Sequence, residues 1–236
     1  MYVRRATASG ADRSTTLEAA ALGVLGALAG SRLAAGLING AGSLAHPIFG
    51  AEGAASWGAY AGGSVAASAR LFFADRTNLL RHLDHAAPAV LAGIALARIG
   101  CFLNGDDFGT VCSYPWCVTF PAGSVAWDAH RALGWIDGAA PASLRVHPLQ
   151  LYLSAAAAAA CALVLLIERR HPMRPGGSAL SGVLLYSTTR APLELLREPA
   201  ALPPGARVTG LQLAISLFVA AVVLWYCWRS TPERTS

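Results

Sequence analysis

Arginine is the residue on which the chemistry of this sequence turns. Three arginines interrupt otherwise apolar runs: Arg32 in GALAGSRLAAGLI, Arg98 in IALARIGCFL and Arg190 in LLYSTTRAPLELL. At membrane depth an arginine costs roughly 2.5–3.5 kcal/mol on insertion scales, so something must offset it. A long side chain that snorkels to the interface offsets the cost and does nothing else. That reading stays open for Arg32 and for Arg98 taken alone. Arg190 differs, because Glu194 and Arg197 follow it at helical spacing and share its face. One ion pair among the three leaves a spare cation. A guanidinium grips phosphate through two parallel hydrogen bonds, and the abundant anion of a bilayer is the phospholipid phosphate. Pro192, in the same predicted helix, lacks an N–H and frees a backbone carbonyl.

Two further segments bring polar groups to helix ends. In ARIGCFLNGDDFG, the helix of Arg98 runs out into glycines that permit unusual backbone angles or close approach. Asn104 and Asp106 stand where the chain leaves the apolar run. An ordinary helix exit, with glycine as the stop and solvated acids after it, fits the same residues. In VHPLQLYL, Pro148 suits a first helical turn with His147 near the cap, and Gln150 can reach back to the helix start. Either this is plain helix initiation, or His147, Gln150 and Tyr152 form a polar rim on the cavity of the arginines.

The elements that position these residues are membrane helices. The chain has 236 residues, 55% of them hydrophobic and only 13% charged, with a mean hydropathy of +0.47. A soluble domain carries about 25% charge, so a water-solvated surface is excluded. The net charge of +5 does not point to nucleic acid, because the arginines flank or enter apolar segments instead of forming a run. No signal peptide is read, since MYVRRATASGADRSTT lacks an apolar core. Spans of about 20 apolar residues are predicted near 17–38, 54–73, 84–103, 148–168, 178–197 and 209–228. The second is weak, being mostly Gly, Ala and Ser. The expected fold is all-α: one polytopic membrane domain over 1–236, with about six transmembrane helices.

Basic loops set the orientation. Arg4, Arg5 and Arg13, then Arg76 and Arg81, then Arg169, Arg170 and Arg174, then Arg229 and Arg234 fall on one side of six spans. That side is expected to be the cytoplasm, with 1–16 inside and 104–147 as an extracytoplasmic loop, in the bacterial inner membrane. Cys161 and Cys227 lie in apolar runs as packing residues. Cys112 and Cys117 share one short loop; whether they pair depends on an oxidising compartment and a geometry that sequence does not supply.

Taken in order, these segments resemble the prolipoprotein diacylglyceryl transferase family. Its arginine signature reads like GRxGNFxNGExxG, and ARIGCFLNGDDFG stands here; its HPxQLYE resembles HPLQLYL at 147–153. Its late YxxxRxxxExxR pattern is similar to Tyr186, Arg190, Glu194 and Arg197, followed by Glu198-Pro199. RPGGSALSG at 174–182 and GLQLAIS at 210–216 resemble its flanking segments, and GALAGSRLAAGL near Arg32 does so more weakly. The resemblance implies transfer of a diacylglyceryl group from phosphatidylglycerol to a lipoprotein-precursor cysteine, with glycerol phosphate leaving. It implies that Arg98 and Arg190 hold the lipid phosphate and stabilise developing charge. Asn104, Asp106 and Gly109 would shape the headgroup pocket, Glu194 would orient the arginines, and Tyr186 would line the site. It implies no metal, no cofactor and no nucleic acid.

Departures from the pattern are specific. The family carries a histidine in an S-F-H-G-G type segment, whereas Ser56-Trp57-Gly58-Ala59-Tyr60-Ala61-Gly62-Gly63 has none. The family's Asn in GNF is Cys101, and the Glu of HPxQLYE is Leu153. The chain is also expected to start after the family's first helix, as an amino-terminally shortened member. A transferase must activate a thiol; His147 or Tyr60 could stand in for the missing histidine, and His147 is the best remaining imidazole, with an unperturbed pKa of about 6.5. Two readings follow: a divergent transferase, or a non-catalytic phospholipid-binding homologue that kept the phosphate clamp and lost the base. A transporter would be favoured by an internal repeat, and none is read.

Overall fold

The computed structural model describes residues 1–39, 56–199 and 222. The expected span at 209–228, the GLQLAIS segment, Cys227 and the last arginines lie outside them, apart from Val222. Seven α-helices are described: α1 (Tyr2–Ala8), α2 (Arg13–Asn39), α3 (Ser56–Asp75), α4 (Leu79–Asn104), α5 (Val125–Ala132), α6 (Leu149–Arg170) and α7 (Gly177–Glu194). Among the described residues β-pairing is confined to isolated bridges, so the all-α expectation holds. Among the described residues, three helical stretches are long and apolar enough to cross a membrane: Arg13–Leu37, Gly58–Asn104 and Leu149–Arg170. The second runs through α3, a 3-10 turn at Arg76–Asn78 and α4.

The chain divides into two compact units, Met1–Ala86 and Ala87–Ser236. The first is built on α2 against α3. A methyl group placed on Gly26 would sit 2.5 Å from the Gly62 carbonyl oxygen, and one on Gly30 would run into the Gly58 carbonyl. The two backbones are therefore in direct contact, which small residues permit between membrane helices. This explains the weak apolar signal of 54–73: its Gly and Ala positions serve a helix contact that larger side chains would prevent. Helix α1 is tied to the unit by the Tyr2 hydroxyl on His82 Nδ1 at 3.1 Å. His82 is buried, and its Nε2 meets Asp75 at 3.3 Å.

The second unit has two apolar clusters. Leu91, Ala160 and Val164 join α4 to α6, with Leu185 and Tyr186 of α7 packed against them. The Ser154 hydroxyl donates to the Ala95 carbonyl at 2.8 Å, which gives a small polar side chain a partner at the α4–α6 contact. The second cluster lies in the segment between α4 and α6. Phe108, Phe120, Ala126 and Val146 form it, with Phe102, Val118 and Ala129 alongside. The expected loop is thus a folded cap with its own core. Helix α5 begins at Ser124, whose hydroxyl accepts from the Trp127 N–H.

Candidate functional site

Arg98 and Arg190 are both buried, at 4% and 5% exposure. Arg98 lies on the last turns of α4 and donates through Nη1 to the Asp107 carboxylate. Arg197 donates through its own Nη1 to the other oxygen of that carboxylate, and through Nε to Glu194. Glu194 also meets Arg190 at 3.5 Å, one helical turn earlier. Arg190 in turn donates to the Tyr186 hydroxyl at 3.4 Å. Arg98, Asp107, Arg197, Glu194, Arg190 and Tyr186 therefore form one continuous polar chain between α4 and α7. Breaking a buried pair by deleting one partner is strongly destabilising, so each link constrains the next.

Arg197 departs from its expected place. Helix α7 ends at Glu194, so Arg197 does not continue the helical face of Arg190. Leu195, Leu196 and Arg197 instead close tight turns onto the carbonyls of Pro192, Leu193 and Glu194. Arg197 then pairs in antiparallel fashion with Gly109. The Thr110 N–H donates to Leu196 and the Glu198 N–H to Phe108. The tight turn still delivers the guanidinium to Glu194, now from outside the helix.

Gly109 lies between two backbones. Its N–H donates to the His147 carbonyl on one side, and its bridge to Arg197 lies on the other. A methyl group there would meet His147 Cβ at 2.8 Å, the His147 carbonyl at 2.9 Å and the Leu196 carbonyl at 2.9 Å. Glycine is required by close approach, which fixes the segments of His147 and Arg197 to one another. The half-buried His147 side chain is bonded through Nδ1 to the Tyr152 hydroxyl at 3.3 Å. Its ring lies against Tyr114.

The remaining expected residues form a third group. Gln150 is fully buried and donates to the Asp106 carbonyl. The Asn104 amide donates to the Asp106 carboxylate at 2.7 Å. Asn104 itself is exposed. Gln150 does not reach back to its own helix start, which has no side-chain cap; it pins the turn that carries the two aspartates.

Asp107 is the residue that sequence reasoning left among the solvated acids. It has φ +54, the left-handed region that non-glycine residues seldom occupy, and Gly105 before it has φ +71. This turn aims Asp107 at the arginines and Asp106 at Asn104. Burial works against ionisation of Asp107, but Arg197 and Arg98 outweigh it and hold its pKa below the ordinary carboxylate value. Arg197 is the complement, held by Asp107 and Glu194 together.

Cys112 and Cys117 are joined as a disulfide, which decides the open question of their pairing. The Arg145 guanidinium fastens the loop between them by donating to the carbonyls of Tyr114, Pro115 and Cys117. Two groups of donor atoms lie within 4.8 Å of one another among the described residues. One is His147 with these two cysteines, whose sulfurs are already bonded to each other. The other is Cys101, Asp106 and Asp107, where Asp107 is held by two guanidiniums. Neither set is poised for a metal ion.

A family model described as prolipoprotein diacylglyceryl transferase matches residues 1–227. The chain belongs to this family. It is 30% identical over 227 residues to the phosphatidylglycerol–prolipoprotein diacylglyceryl transferase of Paracidovorax citrulli, covering 90% of this chain and 76% of that relative. It is 36% identical over 194 residues to the relative so named in Burkholderia mallei, covering 75% of this chain and 65% of that protein. Its match thus spans about two thirds to three quarters of the length of these relatives. Of the three segments that resemble the family, those around Arg98 and Asp107 and at Tyr186–Arg197 carry the polar chain, while that at 147–153 is tied to the Asp106 and Gly109 backbone beside it.

Proposed function

We propose that this protein transfers a diacylglyceryl group from phosphatidylglycerol to the cysteine thiol of a lipoprotein precursor. The observation that carries the reading is the convergence of Arg98 and Arg197 on one anionic group, with Arg190 linked to them through Glu194. Such a cluster is built to receive a phosphate, and membership of the family supplies the reaction. The thiol sulfur attacks the diacylglyceryl carbon that bears the phosphate ester. The S–C bond forms, the C–O bond breaks and glycerol phosphate departs with the electron pair. Arg98 and Arg190 hold the phosphate and stabilise the charge growing on its leaving oxygen. Glu194 orients Arg190 and Arg197, while Asn104, Asp106, Gly109 and Gln150 shape the turn beside them. Tyr186 lines the site through its bond to Arg190.

His147 takes the thiol proton in this reading, with Tyr152 orienting its ring. The test is incubation of purified protein with labelled phosphatidylglycerol and a lipobox peptide. Wild type is expected to transfer label, and His147→Gln to bind lipid without transfer. Full transfer by that variant removes His147 as the base. A second reading, a non-catalytic lipid-binding homologue, is favoured by one observation. The segment where the family carries its histidine holds none here, and its Gly58 and Gly62 are committed to contact with α2. Lipid binding by wild type without transfer would decide for it. We place the chain in the bacterial inner membrane as one multi-pass domain, with a cytoplasmic amino terminus and 104–147 outside. The distribution of basic loops supports this orientation.

A further inference from the structure

We propose that Asp107 is a built-in stand-in for the lipid phosphate, a carboxylate latch that closes the anion site when lipid is absent and yields its arginines when lipid arrives. The inference rests on the phosphate-binding reading above and gives a role to the carboxylate on which its arginines converge. Arg197 turns two of its nitrogens inward to Glu194 and directs Nη1 to Asp107. Arg98 directs its own Nη1 to the second oxygen of the same carboxylate. Two donors from separate elements therefore converge on one anion, one oxygen each. A phosphate diester offers the same thing: two anionic oxygens on one centre, able to accept from two guanidiniums.

The placement of the carboxylate suits exchange. The side chains of Arg98 and Arg197 are 5% and 2% exposed, whereas that of Asp107 is 31% exposed. Asp107 is thus the most accessible of the three groups. It is carried on a turn with positive φ at Gly105 and at Asp107 itself, not on a helix. Relaxing a non-glycine residue out of that conformation is favourable, which lowers the cost of letting the carboxylate swing away. Without Asp107 or a substitute anion, Arg98 and Arg197 would lose the one carboxylate they share. The latch keeps the empty site folded and sets how strongly an incoming anion must compete.

The test compares wild type, Asp107→Asn and Asp107→Glu. Binding of dihexanoyl phosphatidylglycerol is measured in detergent by quenching of tryptophan fluorescence. Asp107→Asn keeps the shape and removes the competing charge, so it is expected to bind this lipid about tenfold more tightly, roughly 1.4 kcal/mol. Asp107→Glu keeps the charge and is expected to bind no more tightly than wild type. Equal or weaker binding by Asp107→Asn, with wild type binding normally, overturns the latch and leaves the phosphate site standing. Wild type that binds no lipid overturns both. Tightening for inorganic phosphate without tightening for the lipid also overturns the proposal, because the site would then serve a free anion. If Asp107→Asn unfolds in phosphate-free buffer, it is purified in phosphate and its melting followed. Added dihexanoyl phosphatidylglycerol is expected to raise its Tm more than that of wild type, and an equal or smaller rise contradicts the latch.

Discussion

The α2–α3 pair and the arginine cluster solve the same problem by opposite means. Both must hold helices together where burying apolar surface gives little drive, because lipid tails are as apolar as the side chains. The α2–α3 pair does it by removing side chains: Gly26 and Gly30 meet Gly58 and Gly62 backbone to backbone. The cluster does it by adding long ones, since Arg98 and Arg197 reach a shared carboxylate from separate elements. A glycine contact tolerates no extra atom and offers nothing to a ligand. A charge cluster tolerates rearrangement as long as the charges stay balanced, so it is the region suited to exchanging one anion for another. In this protein tight packing and polar exchange are assigned to different stretches of chain.

The largest effect is expected in the cluster. Glu194 is 1% exposed and serves Arg190 and Arg197 together. Glu194→Ala removes the buried carboxylate that Arg190 and Arg197 share and should cost about 3–5 kcal/mol, read as a large drop in Tm in detergent. A melt within a degree or two of wild type would mean that the carboxylate is dispensable and that the two regions do not differ as argued.

Glycine substitutions in α3 and α4 are expected to have intermediate effects. Gly62→Ala places a methyl group against the Gly26 carbonyl. It should destabilise by about 1–3 kcal/mol, the usual range for overpacking. Gly93→Ala in α4 meets nothing within 4 Å and should stabilise slightly, because alanine restricts the unfolded chain and favours helix. Equal melting shifts for the two variants would show that the α2–α3 contact is looser than described.

The smallest expected effect is a pH dependence in the cap. His130 is buried, and its Nδ1 accepts from the Leu144 N–H at 3.1 Å. Burial lowers its pKa below the ordinary imidazole value. The unfolded chain therefore binds this proton at higher pH than the folded one. The contribution is intact above about pH 6.5 and is lost as the pH falls below it, by at most about 1.4 kcal/mol per pH unit. His130→Asn keeps an acceptor and removes the titration, so its Tm should fall less than that of wild type between pH 7 and 5. Parallel melting curves would place the acid sensitivity elsewhere.

Much of this arrangement is legible in the sequence. The apolar run expected at 148–168 is the helix Leu149–Arg170, and that expected at 84–103 is Leu79–Asn104. Arg98, Arg190, Glu194 and Arg197 are visible as charges that a bilayer would otherwise disfavour. What escapes sequence reasoning is set by long-range geometry. The position of Arg197 depends on a turn after Glu194 and a bridge to Gly109, about ninety residues earlier in the chain. The role of Asp107 depends on a positive φ that its residue type does not announce. His82 and His130 are buried by partners distant in sequence, Tyr2 for the first and Phe108 for the second. The disulfide needed a distance that spacing alone does not give.

The buried arginines of the second unit are expected to hold a phospholipid phosphate. The most direct test is retention of labelled phosphatidylglycerol by detergent-purified wild type, Arg98→Ala, Arg190→Ala and Arg32→Ala, each first shown to be folded by its melting curve. Arg98 and Arg190 lie in the polar chain, whereas Arg32 lies on α2 in the first unit. The expected result is marked loss of retained lipid in Arg98→Ala and Arg190→Ala and wild-type retention in Arg32→Ala. Equal retention by all four proteins would contradict the claim.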